Sequence, residues 1–509
     1  MLARVRTGAV HGVDAFVVHV EVNIAAGLPT FTVVGLAQGS VREGRERVGA
    51  ALRNSGFGLP NRRITVNLAP ADVRKDGTAF DLPIALGVLV AAGHAPAEAV
   101  AGHAFLGELG LDGSVRPVPA VLPIATACRE AGIRTLVVPA DNAGEAGVVE
   151  GLTVMGAPHV ADVLAHLRGE RRLAPVRVDP RALLCPAIAE GPDLADVRGQ
   201  ATAKRVLEIA AAGAHNLLMI GPPGAGKTML ARRLPGILPP LTLEEALEST
   251  RVHSVAGLLV GNALVTSRPF RAPHHSVSYA GLVGGGSPLR PGEISLAHHG
   301  VLFLDELAEY RRNVLEVLRQ PMEEGVVRLS RARAAVRFPA RVLLVAAMNP
   351  CPCGHFGDGT DRCLCDEGLV ARYRGRVSGP LLDRIDLHLH VPAVPLESLG
   401  GSSRGEKSPA VAARVARARL AQSRRLSDRS GVHANGHLLP ADMRRHCTLS
   451  PAVDRFLRDA VEGLGLSARA YHRVLKVART IADLAGAGAI SAEHVAEAVQ
   501  YRALDRPLD

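Results

Sequence analysis

Apolar and polar positions follow three different rhythms along this chain. In the first part they alternate over Ala15–Val22, and short apolar runs stand at Ile64–Leu68 and Thr135–Pro139. Both patterns predict strands. Between them, Val41–Asn54 carries apolar residues at helical spacing and Leu82–Ala92 is largely apolar. These predict an amphipathic helix and a buried one. The middle part holds short, continuous apolar runs at Asn216–Ile220, Gly300–Leu304 and Val342–Ala347, as buried strands of a parallel sheet do. The last part loses the strand signal and reads as helices over Pro409–Leu426, Pro440–Cys447, Pro451–Leu464, Arg469–Ala485 and Ser491–Arg502. A Pro/Arg-rich stretch, Gly169–Pro186, and a Gly/Ser stretch, Leu399–Gly405, punctuate these parts. The pattern predicts a mixed α/β domain over 1–168, a linker over 169–191, and an α/β domain with a parallel sheet over 192–394. A linker over 395–408 and an all-helical domain over 409–509 complete it. No internal repeat is visible.

Composition narrows the setting. With 509 residues, 47% of them hydrophobic, the chain can bury about three cores. No run of eighteen apolar residues occurs and the N-terminus lacks a leader pattern, so the expectation is a cytoplasmic protein with no membrane segment. The seven cysteines are an odd number, and four crowd one loop, which in a reducing compartment favours metal over disulfide. The net charge of +10 is uneven: ten Lys/Arg stand against three carboxylates between Arg404 and Arg445. That is either a surface for a polyanion or a solvated helix face. Aromatics are only 3% and Trp is absent, so a nucleic-acid partner would be held by its phosphates rather than by base stacking.

Two motifs carry the chemistry. Gly221-Pro222-Pro223-Gly224-Ala225-Gly226-Lys227-Thr228, continuing into Met229, is a phosphate-binding loop between a strand and a helix. Its backbone N–H groups would cradle ATP, Lys227 would reach the β- and γ-phosphates, and Thr228 would offer its hydroxyl to Mg²⁺. The run Gly300–Leu304 ends in Asp305-Glu306. Asp305 is placed to help hold Mg²⁺ and Glu306 to polarise a water. Asn349, at the end of the strand Val342–Ala347, is placed to orient that water. Arg384, in Leu381-Leu-Asp-Arg-Ile-Asp386, can neutralise charge on the γ-phosphate, and Arg469 offers a second cation.

With Phe270–Ser276, Pro291–Ala297, Ala347–Gly354 and Val477–Ala482 added, the chain resembles the magnesium-chelatase-like AAA+ ATPases of the YifB/ComM family over essentially its whole length. The resemblance implies a P-loop AAA+ parallel-sheet core, an all-helical C-terminal lid and a homo-hexameric ring. In that ring Arg384 acts on the neighbour's ATP. It also implies an ATP-driven DNA motor, a helicase of the branch-migration kind working in natural transformation on single-stranded or branched DNA. The segment Glu324–Arg337 reads as a β-hairpin with Arg331 and Arg333 near its tip. In related ring motors that hairpin enters the pore, where arginines could grip a phosphate backbone; the alternative is an exposed hairpin with solvated arginines. Residues Arg268–Pro291, with His274 and His275, read as another pore or interface loop.

Two further features need their own account. Cys351-Pro-Cys353, nine residues, then Cys363-Leu-Cys365 offers four thiols to a structural Zn²⁺; unmetallated thiols or an iron–sulfur cluster are the alternatives. Cys128, Cys185 and Cys447 read as isolated, buried residues. The segment Ala69–Pro83, with Gly107–Pro117 and Ala131–Pro139, resembles the proteolytic domain of Lon. Where that family has its serine this chain has Ala79, and Leu122–Ile124 supplies no lysine. A hydroxyl nucleophile with an amine base needs both, so the expectation is a Lon-like fold without peptidase activity. A chelatase-like motor for metal insertion and an unfoldase acting on protein remain the rival functions.

Overall fold

The computed structural model describes residues 1–184, 191–259, 261–331, 334–357, 359, 361–393, 405–429 and 432–502. Strands β1 (Leu2–His11), β2 (Asp14–Ala25), β3 (Thr30–Val34), β4 (Arg63–Ala69), β5 (His103–Phe105), β6 (Thr135–Pro139), β7 (Thr153–Ala157) and β8 (Pro175–Val176) make one sheet, ordered β8-β7-β6-β5-β1-β2-β4-β3. β1 and β2 form an antiparallel hairpin running from Leu2 opposite Asn23 to His11 opposite Asp14. β1 carries little apolar signal because its inward positions Ala3, Val5 and Thr7 are mostly small or polar. Helix α1 (Gly39–Asn54) is amphipathic, while α2 (Asp81–Ala91) is buried along its whole length. Asp81 survives this burial because Arg47 of α1 donates to both its oxygens, at 2.7 and 3.1 Å. Helices α3 (Val121–Glu130) and α4 (Ala143–Gly147) belong to this unit too, as does a helix over Val160–Leu167 that His159 caps. Part of the stretch read as a linker belongs to it, since β8 pairs with β7; residues 185–190, Cys185 included, lie outside the described residues.

The central unit is a second sheet, entirely parallel: β9 (Leu217–Ile220), β10 (Phe270–Arg271), β11 (Val301–Leu304), β14 (Leu343–Met348) and β15 (Leu387–His390), ordered β10-β11-β14-β9-β15. A separate antiparallel hairpin, β12 (Val326–Arg331) and β13 (Ala334–Pro339), precedes β14. Helices α5 (Ala201–Gly213), α6 (Lys227–Ala231) and α7 (Leu243–Ala256) flank the sheet. Thr242 caps α7 through a reciprocal box with Glu245.

α7 also joins the first two units. The Ala120 N–H donates to the Ser254 carbonyl at 2.9 Å. The Ser254 hydroxyl donates to the buried carboxylate of Glu145, which also accepts from the Leu122 N–H at 2.9 Å and Asn142 at 3.2 Å. Burial pushes the Glu145 pKa up against these three donors. Leu247 of α7 packs on the same apolar cluster as Ala79 and Leu122. A second contact joins His11 to the Ala335 carbonyl at 3.2 Å, with Val13 packed among the residues under the hairpin.

The C-terminal unit is helical: α8 (Ser408–Arg425), α9 (Pro440–His446), α10 (Pro451–Gly463), α11 (Ala468–Leu484) and α12 (Ala492–Gln500). Pro begins α9 and α10, and serines 450, 467 and 491 cap α10, α11 and α12. Its apolar faces share one cluster with the parallel sheet, in which Val415, Val474 and Ala478 meet Ala210, Leu217 and Leu389. The Gly/Ser stretch at 394–404 lies outside the described residues. Several arginines of the basic region work inside the fold. Arg414 pairs with Glu208 and Glu406, Arg425 with Asp483, and the exposed Arg429 with buried Asp442, while Arg417, Arg424 and Arg444 are also exposed.

Candidate active site

The glycine-rich loop leaves β9 at its C-terminal end and turns into α6. Gly224 and Gly226 sit at φ +78° and +85°, a region that L side chains rarely adopt, and this turns successive N–H groups toward one concavity. Lys227 is 9% exposed. Its ammonium donates to the carbonyls of Gly221 (2.6 Å) and Pro222 (2.9 Å) and to Asn349 Oδ1 (3.2 Å). Burial pushes its pKa down, opposed by the charges of Asp305 and Glu306. Thr228 Oγ1 donates to Asp305 Oδ2 at 2.6 Å, so the two groups suited to Mg²⁺ already touch.

Glu306 follows in a left-handed backbone, φ 52°, uncommon outside glycine and characteristic of functional turns. Its carboxylate lies 3.1 Å from His275 Nδ1. The His275 ring lies 4.0 Å from the His274 ring, tilted by 35°, and stands edge-on to Tyr310, whose hydroxyl donates to the Pro273 carbonyl at 2.6 Å. Gln200, also left-handed at φ 49°, donates to the Ala225 carbonyl at 2.8 Å. Sequence reasoning placed His275 in a pore or interface loop and passed over Gln200. Both contacts are made across the fold, and nothing local in the chain marks them.

Lys227, Thr228, Asp305, Glu306 and Asn349 are therefore brought together; Arg384 and Arg469 stand apart from them. Arg384 pairs with Glu323 and donates to the Pro380 carbonyl at 2.6 Å. Arg469, at the start of α11, pairs with Asp383 at 3.1 Å and leaves 70% of its side chain exposed. The next acid in that motif, Asp386, is buried. Desolvation opposes its charge, but Arg473 of α11 and His215 outweigh it and hold its carboxyl well below the ordinary range. The Leu381–Asp386 segment is thus a strap tying the helical unit to the sheet.

Directly after Asn349, the sulfurs of Cys351, Cys353, Cys363 and Cys365 all lie within 4.8 Å of one another. Three separations are 3.3, 3.7 and 3.9 Å. Zinc–sulfur bonds of about 2.3 Å in a tetrahedron put sulfurs about 3.8 Å apart, so the donor set fits Zn²⁺. N–H donation from His355 and Leu364 lowers the Cys353 thiol to about 6, while the crowding of the other sulfurs pushes Cys363 and Cys365 up. Gly354 of this loop rests against Pro223 of the phosphate loop. Cys128 and Cys447 are buried away from it, and burial pushes their thiols up to about 12 and about 11.

On the hairpin, Val327, Leu329, Val336 and Phe338 point into the core and Arg328 and Arg337 point out. Arg328 and Arg337 are direct cross-strand partners. Arg333 lies outside the described residues, as does the side chain of Arg331.

Three family models cover most of the chain: "Subunit ChlI of Mg-chelatase" over 20–142, "Magnesium chelatase, subunit ChlI" over 193–399, and "Magnesium chelatase, subunit ChlI C-terminal" over 405–502. Full-length relatives agree. The chain is 46% identical to uncharacterized protein YifB of Salmonella typhimurium, an alignment taking in 100% of this chain and 98% of the relative. It is also 46% identical to competence protein ComM of Haemophilus influenzae, with the same coverage. This chain belongs to the YifB/ComM family of magnesium-chelatase-like AAA+ proteins. A mycobacterial relative, uncharacterized protein Rv2897c of Mycobacterium tuberculosis, is 44% identical over 98% of both chains. YifB/ComM membership implies ATP hydrolysis with ATP and Mg²⁺ as ligands, in a class whose members are commonly oligomeric. Among the described residues no helix is long and apolar enough to cross a membrane.

Proposed function

We propose that this YifB/ComM-family protein is a hexameric ATP-driven DNA motor, a helicase of the branch-migration kind. Lys227, freed from its carbonyl acceptors by the nucleotide, neutralises phosphate charge, and Thr228 with Asp305 would hold Mg²⁺. Glu306 takes the proton of the attacking water, with His275 fixing its carboxylate. Asn349 orients that water. Arg384 serves the neighbouring subunit's nucleotide after leaving Glu323, and Arg469 reaches the nucleotide after leaving Asp383. Cys351, Cys353, Cys363 and Cys365 would hold a structural Zn²⁺, which would staple the loop behind Asn349.

The observation that carries the DNA reading is the hairpin. Arg328 and Arg337 stand directly opposite on its outer face, an unfavourable pairing that Glu324, 2.9 Å from Arg328, offsets only on one side. A phosphate backbone relieves that repulsion without reading sequence. The word competence in the name of the Haemophilus relative supports a role in DNA uptake and recombination.

The test is the ATPase rate with and without single-stranded, duplex and forked DNA, with Lys227→Ala as the blank. Stimulation that falls with salt supports the motor. Healthy basal hydrolysis indifferent to every DNA refutes it, and points to a protein or chelatase-like partner.

A further inference from the structure

At the opposite end of the parallel sheet from the phosphate loop lies a cavity of about 50 Å³. It opens beside Ala214, Gly300 and Val342–Leu343, the N-terminal approaches to β9, β11 and β14, and α8 of the helical unit closes it. A water needs roughly 10–15 Å³ by this measure, so there is room for about four, the size of a tetrahedral oxyanion.

Its charged lining is Arg268, Arg341, Arg419 and one carboxylate, Glu245. Arg268 and Glu245 neutralise each other at 2.8 Å, and Arg268 is further fixed by the carbonyls of Pro239 (2.6 Å) and His299 (2.7 Å). Two cations remain. Arg419 spends one amino group on the Ala211 carbonyl at 2.9 Å, while its Nε is sealed from solvent without a partner. Among the described residues, Arg341 has no side-chain partner at all; its backbone alone bonds, to His298 and His299. His437 adds a third unsatisfied group, a buried Nδ1. Burial and the Arg419 and Arg341 charges push its pKa down to about 3, so it is neutral and can donate. Burial and Arg268 likewise push Arg419 down to about 10, which still leaves it charged at neutral pH. Arg419 Nε and His437 Nδ1 are thus sealed without a protein partner, the half-buried Arg341 guanidinium faces the same void, and a bound anion would complete all three.

We propose that this cavity binds a phosphate-type tetrahedral oxyanion, held by Arg341 from the sheet side and by Arg419 and His437 from the helical side. Guanidinium groups suit such an ion through paired N–H donors. The occupant bridges the ATPase sheet and the helical unit at a point remote from the nucleotide. The same chemistry is offered by free phosphate and by the phosphoryl end of a larger molecule.

The full chain tests this with the phosphate loop filled by saturating Mg²⁺ and a non-hydrolysable ATP analogue, so that the nucleotide site cannot compete. Inorganic phosphate and, separately, ADP are titrated at constant ionic strength set by chloride, with heat of binding and thermal midpoint as readouts. The expected result is one saturable site per chain, a raised midpoint, and affinity weakened about tenfold or more in Arg419→Gln and in Arg341→Gln. Arg341→Gln breaks no existing side-chain bond, so it keeps the test valid if Arg419→Gln misfolds. Binding of phosphate identifies the free ion; binding of ADP alone identifies a larger phosphorylated ligand. Binding of neither, or binding unchanged in both variants, overturns the proposal.

Discussion

Gly354 makes the cysteine loop part of the nucleotide site, and replacing it with alanine measures how much. The backbone there stands at φ +86°, and an added Cβ would lie 2.5 Å from Pro223 Cδ and 2.7 Å from its Cγ. Carbons pack best at about 3.5–4.0 Å, so the two loops must part by about 1 Å. The proline ring cannot rotate away. Left-handed backbone costs a non-glycine residue about 1–2 kcal/mol and overpacking about 1–3 kcal/mol, giving a destabilisation of about 2–5 kcal/mol. A shift of about 1 Å at a reacting site costs turnover about a hundredfold. Gly357→Ala is the control: it has φ +73° but nothing within 4 Å of the added carbon. Nucleotide titration, phosphate release and thermal unfolding are compared across wild type and both variants. The expected outcome is a loss of nucleotide affinity and turnover in Gly354→Ala alone, beyond the backbone cost the two share. Equal nucleotide affinity and turnover in the two variants would refute the coupling.

Other perturbations separate the remaining parts. Glu306→Gln should retain ATP binding and lose about 10²–10⁴-fold in hydrolysis, read by nucleotide titration beside phosphate release; unimpaired turnover would remove Glu306 from the chemistry. Cys363→Ser should lower the metal content of the purified protein, measured by elemental analysis, and chelation of wild type should lower its melting temperature toward the variant's. Asp386→Asn should cost about 3–5 kcal/mol at neutral pH, because Arg473 loses a buried counter-charge. The Asp386 pKa is depressed in the folded state, so its stabilisation is complete above the ordinary carboxylate value of about 4 and is lost as pH falls below it. Chemical unfolding at a series of pH values should therefore show wild type and variant converging in acid; a constant gap contradicts that account.

Much of the nucleotide site is legible in the chain because its parts sit at strand ends that announce themselves. Leu217–Ile220 and Val301–Leu304 are continuous apolar runs, and the polar residues at their C-terminal ends must emerge at one edge of a parallel sheet. Lys227, Thr228, Asp305 and Asn349 follow from that rule and do meet. His275 and Gln200 do not follow from it, because their contacts with Glu306 and Ala225 depend on how loops cross over the sheet edge. The same limit applies to Arg384. Its motif is visible, but its pairing with Glu323 is made by a side chain sixty-one positions earlier. Charge counting was the least reliable guide. Arg414, Arg425 and Arg429 look like surface cations in sequence, yet buried or half-buried carboxylates claim them. Strand β1 escaped because a sheet's central strand can be built on alanine, valine and threonine when its neighbours supply the apolar bulk.

The hydrogen bond from Ser254 to Glu145 has a consequence for handling the molecule. Pulling the first unit away from α7 would strip a buried carboxylate of one of its three donors and expose the apolar patch that Leu247 covers. A protease nick between the first two units should therefore leave both fragments travelling as one particle through a sizing column, and only denaturant should part them. An expression vector that stops the gene at the end of the first sheet would make a protein with an open greasy wound.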